Sequence, residues 1–267
     1  MTVTLLLGVL VGTLMGLTGA GGGILGVPVL VFGLGWTMQQ AAPVALVAMA
    51  GAAAIGAIEG FRRKLVRYRA ATLMAITGVL MTPLGVRVAH VLPQRWLLAA
   101  FAAIMLVVSV RLLAQPAGEA GLESENPGAW ARLNPATGRL DWTWTTAVVM
   151  SAIGAAAGFL TGALGVGGGF LIVPLLRRFT DISMHGIVAT SLMVIALVST
   201  GGIGAAVLHG ATLPMEITAM FAGATAAGMV IGRLLGKRLA PVPLQRGFAL
   251  LLLAVALALL AKAVTAQ

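Results

Sequence analysis

The stretch TGAGGGILGVPVL, from Thr18 to Leu30, places three consecutive glycines in the middle of an apolar region. It has a second copy. A shift of 146 positions lays Gly21, Gly22 and Gly23 on Gly167, Gly168 and Gly169, and Pro28 on Pro174. Between Gly12 and Leu30, eleven of nineteen residues are identical to those of Gly158–Leu176. Further along, PQRW at Pro93 is similar to LQRG at Leu244, each opening the last apolar segment of its half. The chain therefore reads as an internal duplication, with repeats over 1–114 and 142–267. The stretch 115–141 between them holds four of the seven acidic residues together with Pro and Gly, the composition of a connecting loop.

Of the 267 residues, 60% are hydrophobic and 9% charged, too few charges to cover a soluble domain of this size. Apolar runs recur along the whole length, which predicts an all-α polytopic membrane protein. Each half divides into about five segments. In the first they are Val3–Thr18, Gly22–Phe32, Gln40–Ile58, Ala70–Val91 and Trp96–Leu113. In the second they are Thr143–Thr161, Gly168–Leu176, Met184–Leu208, Met215–Leu235 and Arg246–Val264. The N-terminus lacks a basic stretch ahead of its apolar run, so no cleaved signal peptide is expected.

The net charge of +10 reads as topology rather than as a nucleic-acid surface. FRRKLVRYR, Phe61 to Arg69, carries five basic residues, whereas its counterpart HGATLPME carries no Lys or Arg. The loop after the fourth segment of the second half is basic again, with Arg233, Lys237, Arg238 and Arg246, and Arg177 and Arg178 follow its second segment. Equivalent loops thus fall on opposite faces of the membrane, which predicts two inverted-topology repeats with both termini outside. Arg87 and Arg95 run against this pattern.

A segment of about eleven residues is near 16 Å as a helix and cannot cross a core of about 30 Å. The short pair in each half is therefore two half-helices or a re-entrant hairpin, broken at Gly19–Gly23 and Gly165–Gly169. Irregular backbone at that depth persists only where it is buried in protein or lines a cavity. Glycines there admit positive φ and leave the first amides of the following helix uncovered, and such a terminus attracts small anions. Pro28 and Pro174 are expected to bend those helices. Gly8, Gly12 and Gly16 instead have small-xxx-small spacing, suited to close helix packing. GGGILG matches a dinucleotide pattern, but no strand precedes it, and the next acid is Glu59, so that reading is rejected.

With VATSLMVI (Val188–Ile195), the two copies TGAGGGILGVPVL and TGALGVGGGFLIVPLL resemble the TauE/SafE family of sulfite exporters and related anion permeases over nearly the whole chain. The resemblance implies a bacterial inner-membrane secondary transporter of small sulfur oxyanions or organosulfonates, with export as the expected direction. The Thr190–Ser191 pair has Val44–Ala45 as its counterpart, where that family often keeps hydroxyls in both halves.

The expected substrate site is formed by Gly21, Gly22, Gly23, Gly167, Gly168 and Gly169, with the hydroxyls of Thr190 and Ser191 assisting and Thr18 and Thr161 beside the breaks. His90, His185 and His209 lie near segment ends. If transport is coupled to protons, His209 and His185 are the first candidates. Glu59 is expected to form an interfacial ion pair with Arg62 or Arg63, and Arg87 could draw an anion to the outer mouth. Acids are nearly absent from the apolar segments, which argues against a cation pathway. There is no cysteine, metal-ligand cluster or nucleophile–base pair, so no metal, cofactor or enzymatic role is expected. A channel with the same pore, an uptake permease, and a scaffold in which the glycines only pack helices are the competing readings.

Overall fold

The computed structural model describes residues 1–114, 130, 141–236 and 241–265. Among the described residues ten α-helices carry the fold: α1 (Thr2–Thr18), α2 (Gly26–Gly33), α3 (Met38–Arg62), α4 (Tyr68–Val91), α5 (Gln94–Ala114), α6 (Trp144–Leu164), α7 (Gly169–Phe179), α8 (Met184–Leu208), α9 (Met215–Gly236) and α10 (Pro241–Thr265). A 3₁₀ helix over Gly19–Leu25 joins α1 to α2. There is no strand among the described residues. Seven of the helices, α3, α4, α5, α6, α8, α9 and most of α10, are long and apolar enough to span a membrane, so the chain is an all-helical multi-pass membrane protein. The connecting stretch and the basic residues Lys237 and Arg238 lie outside the described residues, apart from Trp130 and Asp141.

The glycines at four-residue intervals decide the packing. A methyl on Gly8 would collide with Ala224 and Phe221, one on Gly12 with Thr225 and Met229, and one on Gly16 with Met229 and Arg233. Residue numbers rise together, so α1 and α9 run parallel with their backbones in contact. Gly154, Gly158 and Gly162 of α6 meet Met74, Gly78 and Thr82 of α4 in the same sense. Each atom pair contributes only about 0.1–0.2 kcal/mol, so a long stripe without Cβ atoms is needed to hold two such helices together.

The central helices run the other way. Gly56 and Gly60 of α3 meet Leu192 and Ala189 of α8, while Gly202 meets Leu46, so α3 and α8 are antiparallel. On the periphery Ser109 donates to the Ala249 carbonyl at 2.7 Å and Gln245 donates to the Leu112 carbonyl at 2.9 Å, making α5 and α10 antiparallel as well. Under the 146-residue shift, α1 corresponds to α6, α4 to α9, α3 to α8 and α5 to α10. The two parallel pairs are thus one contact made twice, and each antiparallel pair joins an element to its own counterpart.

Most of the basic residues gather at one end of the bundle, around the α3–α4 turn, the end of α7 and the end of α9, whereas Arg87, Arg95 and Lys262 lie toward the other. α1 descends from the opposite end until Gly16 is level with Arg233, and the 3₁₀ helix then folds Gly22 back onto the backbone of Leu14 and Met15. α2 returns the way α1 came, so that Gly33 reaches Leu7. This is a hairpin rather than a second crossing. α6 and α7 make the corresponding hairpin from the basic end, returning to it at Arg177 and Arg178. Pro174 lies inside α7, as expected. Pro28 lies in the first turn of α2, where its missing N–H removes no helix bond, so it does not bend that helix.

Candidate functional site

The two glycine breaks come together in the middle of the protein. A methyl on Gly23 would lie 2.9 Å from Met49 Sδ and 3.8 Å from the Val166 carbonyl oxygen, and one on Gly167 would lie 3.3 Å from the same sulfur. Met49 sits near the centre of α3 and is buried. Its side chain occupies the space between the breaks. Gly22, Gly23, Gly167, Gly168 and Gly169 are buried, and Gly21 is half-buried.

The breaks are built differently. In the first, Gly21, Gly22 and Gly23 belong to a 3₁₀ helix, whose amides turn back onto carbonyls three residues earlier. Only Gly19 there has positive φ, at 77°. In the second, Gly165, Gly167 and Gly168 all have φ near 70°, and the chain leaves helical form before α7 starts. Gly168 caps α7 with no side-chain partner. Its carbonyl accepts from Leu171 and Ile172, while no acceptor among the described residues pairs with the amides of Gly167, Gly168, Gly169 or Phe170. The expectation of uncovered amides therefore holds for the second break, and in the first the 3₁₀ ladder uses them.

Among the hydroxyls, Thr190 accepts from the Arg67 amide at 3.0 Å and ties α8 to the start of α4. Thr18 donates to the Leu14 carbonyl and Thr161 to the Ala157 carbonyl, each at 2.7 Å, so both bond to their own helix. Ser191 is fully buried with no hydrogen-bond partner among the described residues. Ser199, two turns further along the same face of α8, is in the same condition. A methyl on Gly167 would sit 3.2 Å from Ser199 Oγ and 3.0 Å from Ile195 Cγ2. Ser199 and Met49 were not singled out in the sequence. The available signal was the spacing Ser191–Ile195–Ser199, which places two hydroxyls on one helix face.

A shallow cavity, open to solvent, enters from the end opposite the basic one. Gln39, Ala42 and Leu46 of α3, His90 of α4, Gly162 and Ala163 of α6 and Ala206 of α8 line it. It stops short of the glycine breaks. Ala42 closes against Gly165, and a methyl on Gly202 would lie 3.1 Å from Leu46 Cδ1. One helical turn beyond that floor lie Met49 on α3 and Ser199 on α8. At the basic end, Glu59 lies 2.7 Å from Arg63 and 2.8 Å from Arg233, joining α3 to α9. The Arg63 pair is the one expected from the sequence, and Arg233 adds a second partner from α9.

The sulfite exporter TauE/SafE family model matches residues 4–259. The chain belongs to that family. It is 30% identical over 261 residues to a probable membrane transporter protein of Xylella fastidiosa strain 9a5c, covering 96% of this chain and 93% of that one. It is 31% identical, with the same coverage, to a probable membrane transporter protein of strain Temecula1. No solved structure matches significantly. This TauE/SafE protein is therefore a multi-pass membrane transporter and not an enzyme.

In this transporter the histidines stand away from the breaks. His185 is exposed at the start of α8, at the basic end. His209 caps the other end of α8, its Nδ1 lying 2.9 Å from the Ala205 carbonyl oxygen. Its ring stacks on His90, with centroids 6.4 Å apart. The histidine pair thus stands at the cavity rim, a juxtaposition of residues 119 positions apart (209 − 90). No group of three or more His, Cys, Asp or Glu is arranged to hold a metal among the described residues.

Proposed function

We propose that the protein is a secondary transporter of small sulfur-containing anions, such as sulfite or an organosulfonate, in a bacterial inner membrane, and that it acts as an exporter. The anion binds where the two glycine breaks meet around Met49, between Gly21–Gly23 and Gly167–Gly169. The uncovered amides at the start of α7 supply the leading donors, with Ser191 assisting. Thr190, Thr18 and Thr161 contribute through the backbone they brace.

One observation carries this reading: two interrupted hairpins entering from opposite ends converge on one methionine, beside free peptide N–H groups. A helix N-terminus presents about half a positive charge and unpaired donors, which stabilise an anion without any Lys or Arg. The repeats 1–114 and 142–267 are inverted relative to one another. Support comes from α3 and α8, and α5 and α10, which are counterparts and run antiparallel. Such a pair of repeats rocks about a central site, and alternating access follows. In the present conformation the cavity opens at the end opposite the basic one, and the Glu59–Arg233 contact closes the other. Met49, an unbranched and adaptable side chain, fills the space the anion takes.

The test is flux into proteoliposomes of labelled sulfite, sulfate, thiosulfate and a small alkanesulfonate, with and without a pH gradient. Saturable uptake of one of these, with counterflow, is the expected result. Non-saturable flux marks a channel, and no flux of any of them sinks the anion reading. An effect of the pH gradient assigns protons as the coupling ion, with His209 and His185 the residues to replace.

A further inference from the structure

Six threonines in these helices, Thr18, Thr77, Thr82, Thr161, Thr200 and Thr225, and Thr180 at the C-cap of α7, donate to the carbonyl four residues before them. That is the usual way a hydroxyl is satisfied inside a membrane helix. Ser199 departs from it, although its neighbour Thr200 does not. It is fully buried, it has no partner among the described residues, and its Oγ points at Gly167, next to amides that also lack acceptors. A buried hydroxyl without a partner is a net cost to the fold. Several donors that share one such spot complement a group rich in acceptors.

The surroundings are lopsided. The 146-residue shift places Ala53 opposite Ser199, and Ala45 opposite Ser191. On the α3 side the breaks meet Met49, and the buried Ala52 and Ala53 lie one turn further along that helix. The donors of the first break are engaged in its 3₁₀ helix.

We propose that Ser199 is a direct ligand of the transported anion, that it acts with the amides of Gly169 and Phe170 on the oxyanion head, and that the less polar end of the substrate faces Met49 and Ala53. This rests on the anion-transport reading above. The head is held by the second half alone, so the substrate binds in one orientation although the two halves are related.

The experiment compares the parent protein, Ser199→Ala and the double variant Ser199→Ala/Ala53→Ser in proteoliposomes, using whichever sulfur anion the parent carries. Melting temperatures are measured in detergent without ligand. Loss of a hydrogen bond to a charged group is expected to raise KM about tenfold or more for Ser199→Ala, with the maximal rate changed less than about threefold. The ligand-free melting temperature is expected to equal or exceed that of the parent, because the change removes an unpaired group. The double variant is expected to keep the high KM. A KM for Ser199→Ala within twofold of the parent overturns the assignment, and recovery of KM in the double variant overturns the one-sided orientation. A parent that carries none of the anions removes the transport reading, and this inference with it.

Discussion

The two glycine triplets share their sequence and their burial, and they differ in backbone. Gly21–Gly23 lie in a tight 3₁₀ helix packed on α1, whereas Gly167 and Gly168 take left-handed conformations and release α7 with its first amides unpaired. A repeated motif therefore does not guarantee a repeated site. In the first half the glycines let two stretches of backbone touch, and in the second they also leave helix-start donors unpaired.

The largest effects should come from filling positions where backbone meets backbone or φ is positive. Gly168→Ala puts a methyl 3.0 Å from the Ala157 carbonyl oxygen at φ 69°. It should cost about 2–3 kcal/mol and abolish saturable flux, read by thermal unfolding and uptake together. Gly22→Ala drives its methyl into the Leu14 and Met15 backbone and should destabilise comparably. If any protein still assembles, its substrate selectivity should be that of the parent, since the Gly22 amide is engaged in the 3₁₀ helix. A changed selectivity would restore equality between the breaks.

Next in size is Thr190→Val. Removing the acceptor for the Arg67 amide should cost about 1 kcal/mol, measured as a lower melting temperature, with no change in KM. A KM effect would return Thr190 to the binding site. The smallest effect is expected for Gly21→Ala, whose methyl meets only Phe248 and Thr18, each at 3.8 Å. Its stability should lie within about 1 kcal/mol of the parent and its flux should be unchanged. Loss of flux with the fold intact would make the first triplet a ligand.

Much of this was legible in the sequence. The segment Met184–Leu208 matches α8 residue for residue, and Gly8, Gly12 and Gly16 pack as their spacing indicates. Apolar length and small-residue period are local properties, and hydrophobic burial reads them directly. The asymmetry of the breaks was not legible, because GGG occurs in both. Gly22 folds back on residues seven and eight earlier, Gly168 on one eleven earlier, and only the assembled packing selects between them. The backbone partner of Thr190 was not legible for a similar reason: it lies 123 residues away. Ser199 is not legible in the sequence, because a lone serine in an apolar helix gives no hint of whether its hydroxyl is satisfied.

The exchange of partners between halves carries a consequence for biosynthesis. α1 finds its groove on α9, and α4 finds its groove on α6, so neither half owns the surface that completes it. During synthesis α1 enters the bilayer some two hundred residues before α9 is made, its glycine stripe facing lipid for that interval. Severing the chain between the halves should leave two polypeptides that are each degraded when made alone, yet reassemble when made together.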